Sequence, residues 1–114
     1  MTTTKCRYIK QEEKVLITFM LEVANFKDRI SSIPEVVYEL DDGGMGTIKF
    51  TNNRERIYCG DILKVNYVDS DKIPVIIALT FDDRGDLFEL DFWKVNFEKL
   101  LSYPEPHEIV ISQD

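Results

Sequence analysis

Between Lys10 and Ala24 the apolar residues Val15, Leu16, Phe19, Met20 and Val23 recur at i, i+1, i+4, i+5 and i+8. That spacing makes one stripe of a 3.6-residue period and predicts a helix. Ile17 and Leu21 widen the stripe, so the helix is expected to press on a sheet rather than lie free. Gln11, Glu12 and Glu13 near its start suit the positive end of the helix dipole. A membrane-surface helix would carry Lys and Arg on its polar side, whereas Glu12, Glu13 and Glu22 stand there, so core packing is the better reading. Residues 25–34 read as a connection, because Pro34 blocks helical continuation.

Beyond Pro34 the period becomes two. Val36, Tyr38 and Leu40 alternate with Val37 and Glu39, as in a strand with one face on a core. Asp41-Asp42-Gly43-Gly44 supplies a hairpin turn, since glycine tolerates the positive φ such turns need. Thr47–Thr51 follows with Ile48 and Phe50 inward, and a turn at residues 51–54 leads to a longer run, Ile57–Val68. Gly60 inside that run suggests a bulge, and Leu63, Val65 and Tyr67 share a face. After a turn at residues 69–72, Val75–Phe81 is apolar on both faces and reads as a central strand. Residues 82–86 turn the chain again, and Phe88, Leu90 and Phe92 then alternate with Glu89 and Asp91.

Residues 93–101 fit either a continuing strand or a short helix. The spacing of Phe97, Leu100 and Leu101 behind an N-cap at Asn96 favours the helical turn. Pro104 and Pro106 make the rest an extended tail, in which Ile109-Val110-Ile111 could add an edge strand. The expected fold is α+β: an N-terminal helix packed on an antiparallel, mostly meander sheet of about five strands, then a short C-terminal helical turn and an extended tail. One domain spans 1–114, with an N-terminal arm at 1–9, the helix at 10–24, the sheet at 35–95 and the turn and tail at 96–114.

Composition narrows the function classes. At 114 residues, 44% apolar and 31% charged, the chain is an ordinary globular domain, not a disordered or membrane one. Its longest apolar run, Val75–Leu79, is far short of the roughly 20 residues that span a bilayer. Fourteen basic against 21 acidic residues give −7, which repels nucleic-acid phosphates. The charge is uneven: residues 1–34 carry a net +2 and residues 35–114 a net −9. The start Met1-Thr2-Thr3-Thr4-Lys5 has no apolar signal-peptide region, and two unpaired cysteines suit a reducing compartment, so a cytoplasmic location is expected. Cys59 reads as a small buried hydrophobe, and Cys6 as reactive only if exposed beside Lys5 and Arg7.

The candidate chemistry is sparse. His107, the one histidine, lies in the tail beside Pro106 without a nucleophile elbow, and reads as solvated. The cysteines form no C-x-x-C pair, so no metal site is assigned and no cofactor is predicted. Gly43-Gly44-Met45-Gly46 lacks the third glycine and following helix of a phosphate loop, and reads as a hairpin turn. Aspartates gather at residues 41–42, 69–71 and 82–86; in a meander the first two turns share one end of the sheet and the third takes the other. Such turns could hold a hard cation, but Asp is also simply a good turn residue. Glu89 and Asp91, two apart on a strand, project from one face and could serve as general acid and base if burial split their pKa values; a solvated polar face needs fewer assumptions. Trp93 is either core or an interface anchor.

The segments Asp41-Asp42-Gly43-Gly44-Met45-Gly46-Thr47 and Gly85-Asp86-Leu87-Phe88-Glu89-Leu90-Asp91-Phe92-Trp93-Lys94-Val95-Asn96-Phe97 resemble a family of small uncharacterised bacterial proteins. Its pattern is D-G-G-M-G-S followed by L-F-E-L-D-x-W-K-V-D-F; here Thr47 replaces the Ser and Asn96 the Asp. The resemblance implies a domain of unknown function, so no catalytic residue is carried over. It does direct attention to Asp42, Met45, Glu89, Asp91, Trp93 and Lys94 as candidate binding residues, with Gly43 and Gly44 in the turn between them.

The expected function is a non-catalytic protein-binding module whose acidic and aromatic sheet face meets a protein partner, a basic one where charge decides, as immunity proteins meet basic toxin enzymes. The alternative is a carboxylate- or metal-dependent hydrolase using Glu89, Asp91 and the turn aspartates. No nucleic-acid or membrane partner is expected, and a homo-oligomer formed by edge-strand pairing is possible.

Overall fold

The computed structural model describes residues 5–111. One seven-stranded antiparallel sheet has the order β1-β2-β3-β6-β5-β4-β7, formed by β1 (Lys5–Tyr8), β2 (Val36–Glu39), β3 (Ile48–Phe50), β4 (Tyr58–Val68), β5 (Pro74–Asp82), β6 (Leu87–Lys94) and β7 (Val110–Ile111). The helix α1 (Gln11–Val23) lies against one face. The strands are joined as two meanders, β1-β2-β3 and β4-β5-β6, that meet where β3 pairs with β6.

Both ends of α1 are written locally. Glu13 reaches back to accept the Lys10 N–H at 2.8 Å. Asn25 takes a left-handed φ of 65°, while Asn25 N–H bonds the Glu22 carbonyl and Phe26 N–H the Leu21 carbonyl, which closes the helix. The face α1 buries is Leu16, Ile17, Met20 and Leu21, one residue round from the predicted stripe, and Val15 is exposed. Glu13, expected on the polar side, is buried because Arg7 of β1 clamps its carboxylate at 2.7 and 3.0 Å.

Opposite the helix the core takes Val37, Ile48, Phe50, Val65, Tyr67, Val75, Ile77, Leu79, Leu90 and Phe92. Ile48 and Phe50 point inward as the alternation predicts. On β2 the predicted face is reversed: the pairing of Val37 with Phe50 puts Val37 inside and leaves Tyr38 outside. β4 is irregular at Tyr58/Gly60 and Asp61/Leu63, so the bulge expected at Gly60 is present. It leaves Cys59 out of register and exposed, against the buried position expected for it; Cys6 is exposed too. A further irregularity between β5 and β6 shifts Leu87 into the core cluster, while Phe88, though buried, packs beneath Lys49 and Arg56.

Two expectations give way outright. The sheet has seven strands rather than about five, since residues 5–8 pair along β2 and residues 110–111 along β4. No helical turn forms at residues 96–101. Phe97 adopts φ 63°, and the N–H groups of Leu101 and Ser102 donate to Asp69 at 2.8 and 3.0 Å instead of to a helical ladder. Short 3₁₀ turns occur at Lys27–Ser32 and Pro106–Glu108. No helix among the described residues is long and apolar enough to cross a membrane.

Candidate functional site

The glycine turn, the 69–73 turn and the end of β6 share one end of the sheet, as the meander reading required. Lys94 sits there fully buried. Its ammonium donates to Asp69 at 2.8 Å, Asp71 at 2.7 Å and the Lys99 carbonyl at 3.1 Å, so all three protons are used. Burial works against its charge, but Asp69 and Asp71 hold the Lys94 pKa above its ordinary value. Burial likewise opposes the Asp69 charge, yet the Leu101 N–H, the Lys94 ammonium and the Ser70 and Ser102 N–H groups keep that carboxyl below the usual range.

Asp42 and Met45 belong to the same scaffold. Asp42 accepts the Met45 and Thr47 N–H groups, each at 3.0 Å, which closes the glycine turn. The Met45 sulfur accepts the Lys94 N–H at 3.3 Å. The structure therefore gives Lys94 a place inside the fold, not on a binding surface, and the period of two was the available signal: Lys94 shares parity with Leu90 and Phe92.

The other half of the motif faces away from α1. Register puts Cys6, Tyr38, Lys49 and Glu89 in one row, Asp91, Ala78 and Lys64 in the next, and Trp93, Ile76, Asn66 and Val110 in a third. Glu89 is fixed through its backbone, because the Thr80 hydroxyl accepts its N–H at 2.9 Å and donates to its carbonyl at 3.1 Å. Asp91 is partly buried, and its pKa is pushed up to about 8 by burial first, then by its hydrogen bond with Glu89 and the negative charges of Glu89, Asp61 and Asp42. At neutral pH the pair thus holds a proton between two carboxyl groups. Asp61 in turn accepts the Tyr58 hydroxyl at 2.9 Å, which raises the pKa of that phenol.

Trp93 is 54% exposed and Phe97 68%, with ring centroids 6.2 Å apart. Val110, 61% exposed, extends the apolar strip from the far edge. So the structure brings Glu89, Asp91 and Trp93 onto one open face and separates them from Asp42, Met45 and Lys94.

Sequence reasoning missed two polar clusters. At the β1 side of the same sheet end, Arg7 bridges Glu13 and Glu39, both acids raising its pKa, beside a cleft of about 610 Å³ lined also by Asp41, Gly44 and Tyr103. The Tyr103 hydroxyl is buried without a partner among the described residues, and burial, then Glu13 and Glu12, push its pKa up. At the opposite sheet end, Asp82 collects the Arg84 and Asp86 N–H groups at 2.8 and 3.0 Å, and Arg54 and Arg56 at 3.2 Å each. Arg7–Glu39, Arg54–Asp82 and Arg56–Asp82 join charges 26 or more positions apart and leave no local pattern, and Arg7–Glu13, six apart, spans the junction of β1 and α1, so nothing in the sequence spacing announces these pairs. Among the described residues no group of three or more His, Cys, Asp and Glu is arranged to hold a metal ion.

Residues 6–104 match a family described as a domain of unknown function (DUF6984), and the chain belongs to that family. No curated protein and no solved structure matches it.

Proposed function

We propose that this chain is a cytoplasmic, non-catalytic protein-binding module that meets a basic partner with the sheet face turned away from α1. The observation that carries this reading is the juxtaposition on that face of an exposed Trp93–Phe97 pair with Glu89, Asp91 and Asp61. Tryptophan and phenylalanine left open to water are typical interface anchors, because burying them on association releases far more free energy than polar contacts at a rim. The Glu89 and Asp61 side chains beside them, on a chain of net charge −7, favour a cationic surface and speed its approach, while protonated Asp91 offers a hydrogen bond. The logic is the one by which an immunity protein covers a basic toxin enzyme.

A second reading has one observation in its favour. A carboxyl with its pKa raised toward neutrality, with a second carboxyl side chain beside it, is the arrangement a general acid and base require. Neither Glu89 nor Asp91 lines a cleft described above, however, and an acid–base pair acts on a substrate it can enclose.

Affinity capture from source-cell lysate tests the proposal with three baits: the wild type, Trp93→Ala/Phe97→Ala and Glu89→Gln/Asp91→Asn. One protein captured by the wild type, lost with the aromatic variant and weakened by both carboxyl neutralisation and moderate salt is the expected result. Retention of that protein by both variants would move the interface off this face. Capture of nothing would leave the hydrolase reading to be pursued with substrate panels.

A further inference from the structure

Two aromatic rings of β6 lie outside the core cluster, and the chain's own cations treat them differently. Phe88 is capped: the Lys49 ammonium stands 5.1 Å and the Arg56 guanidinium 5.2 Å from its ring centroid, and the residue is buried. Trp93, at the other end of the strand, is the better partner for a cation, because the face of an indole attracts positive charge more strongly than that of a phenyl ring. Among the described residues no lysine or arginine lies over it, and it stays exposed.

The carboxyl groups beside Trp93 are likewise unclaimed. Asp91 and Glu89 precede it on the same side of β6, at the ~7 Å spacing of alternate strand residues, and Asp61 stands on the far side of β5. No ion pair among the described residues includes any of the three. Glu89 is opposite Lys49 on β3, but that ammonium is turned to Phe88. All 14 Lys and Arg of the chain fall within residues 5–111, so the cation that would complete this end of the face has to come from elsewhere.

We propose that Trp93, with Asp91 and Glu89, is the seat of one arginine side chain of the partner protein, its guanidinium stacked on the indole and its N–H edge turned to the carboxyl groups. This rests on the open face being the interface, and it names the chemistry that anchors the partner there. A guanidinium is planar and weakly hydrated, so it lies flat on a ring while its N–H groups donate in plane to a carboxylate, and it uses both halves of the site at once. An ammonium is a compact, strongly hydrated charge that cannot stack and fork together. Phe97, with its centroid 6.2 Å from that of Trp93, extends the apolar surface on which the methylene stem of an arginine can lie.

Trp93 is the chain's one tryptophan, so its fluorescence reports the seat directly. The probes are capped hexapeptides of arginine, of lysine and of citrulline, the last being uncharged and close to arginine in shape. They are titrated into the full chain at pH 8.5, above the value of about 8 to which burial and Glu89 push Asp91 up. The arginine peptide should shift the emission saturably, about fivefold or more tighter than the lysine peptide, and the citrulline peptide should give no response. Glu89→Gln/Asp91→Asn should weaken the arginine peptide by about fivefold or more. Glu12→Gln/Glu22→Gln, which removes the same charge from exposed positions of α1 behind the sheet, should leave it within about twofold. A lysine peptide that binds as tightly, an equal response to citrulline, or the same loss in both double variants would each overturn the proposal. Lysate capture that depends on Trp93 and Phe97, found together with no response to the arginine peptide, would overturn the arginine seat and leave the interface on this face, so the two readings fail separately.

Discussion

Replacing Asp91 by Asn should change how stability depends on pH. In the folded chain Asp91 holds its proton until about pH 8, whereas in the unfolded chain it releases it near the ordinary carboxyl value of ~3.9. Below pH ~4 the group is protonated in both states and contributes no difference. Between about 4 and 8 the unfolded chain has lost the proton and the folded chain keeps it, so stability falls as pH rises, and the whole effect is in place above 8. Each pH unit crossed is worth at most ~1.4 kcal/mol for a fully dry site. Asp91 is partly open to water and shares its proton with Glu89, so a net cost of ~1–2 kcal/mol at alkaline pH is expected after screening.

Asn keeps the shape and removes the ionisation. Lys64 in the same cross-strand row as Asp91 and Lys49 in the next row are unchanged by the substitution. Urea unfolding followed from pH 4.5 to 9 should give a falling stability for the wild type and a flatter profile for Asp91→Asn. The variant should be the more stable by ~1–2 kcal/mol at pH 8.5 and within ~0.5 kcal/mol of wild type at pH 4.5. Titrations common to both chains cancel in the difference. Parallel profiles, or a variant less stable than wild type at pH 8.5, would refute the proton-sharing pair and with it the acid–base reading.

Three further outcomes follow from the buried polar groups and the glycine turn. Asp69→Ala removes one of the two carboxylates on buried Lys94, leaving Asp71, and frees the Ser70, Leu101 and Ser102 amides; a loss of about 3 kcal/mol in urea unfolding is expected. Burial opposes the charge of Asp82, but the Arg84 and Asp86 amides and the two arginines hold its pKa low. Its stabilisation is therefore present above pH ~4 and lost as pH falls through the lower folded value, so Asp82→Asn should flatten the acid limb of the stability curve, read by fluorescence from pH 5 to 2. Gly44→Ala combines φ +82° with a new Cβ only 3.1 Å from the Lys99 Cβ, whereas Gly43→Ala has open space at φ +78°. Calorimetry should show the first costing ~2 kcal/mol and the second ~1 kcal/mol.

The elements legible in the sequence are those whose own residues decide them. α1 carries its stripe, β3 and the part of β6 from Glu89 onward alternate cleanly, and the aspartate and glycine turns are where the residues place them. β1 was not legible because Lys5-Cys6-Arg7-Tyr8 has no apolar alternation; only the pairing with β2 and the clamp of Arg7 on Glu13 and Glu39 make it a strand. The 96–101 segment carries helical spacing, yet Asp69, some 30 positions earlier, takes its amides. The face of β2 was misjudged because Val36 and Val37 are equally apolar, and register with Phe50 chooses between them. Of the candidate site, Glu89, Asp91 and Trp93 were placed correctly on one face by parity alone, while the closeness of Asp61 to Asp91 depends on strand order.

A strand of alternating parity can serve two masters, and β6 does. Leu90, Phe92 and Lys94 point toward α1, where the first two fill the core and the third locks three chain segments together. Glu89, Asp91 and Trp93 point the other way, and none of them is needed to fill the core or to close a turn. The E-L-D-F-W-K run therefore carries two roles. Substitutions at the inward positions report on folding, and substitutions at the outward positions report on whatever meets the open face. Asp91 is the exception that makes the division informative, because a half-buried carboxyl with a raised pKa costs stability at alkaline pH without supporting the fold. A group that weakens the folded state and contributes nothing to its core is the kind expected where binding sets the side chain. The open face is for that reason a better place to look for function than the buried scaffold beneath it.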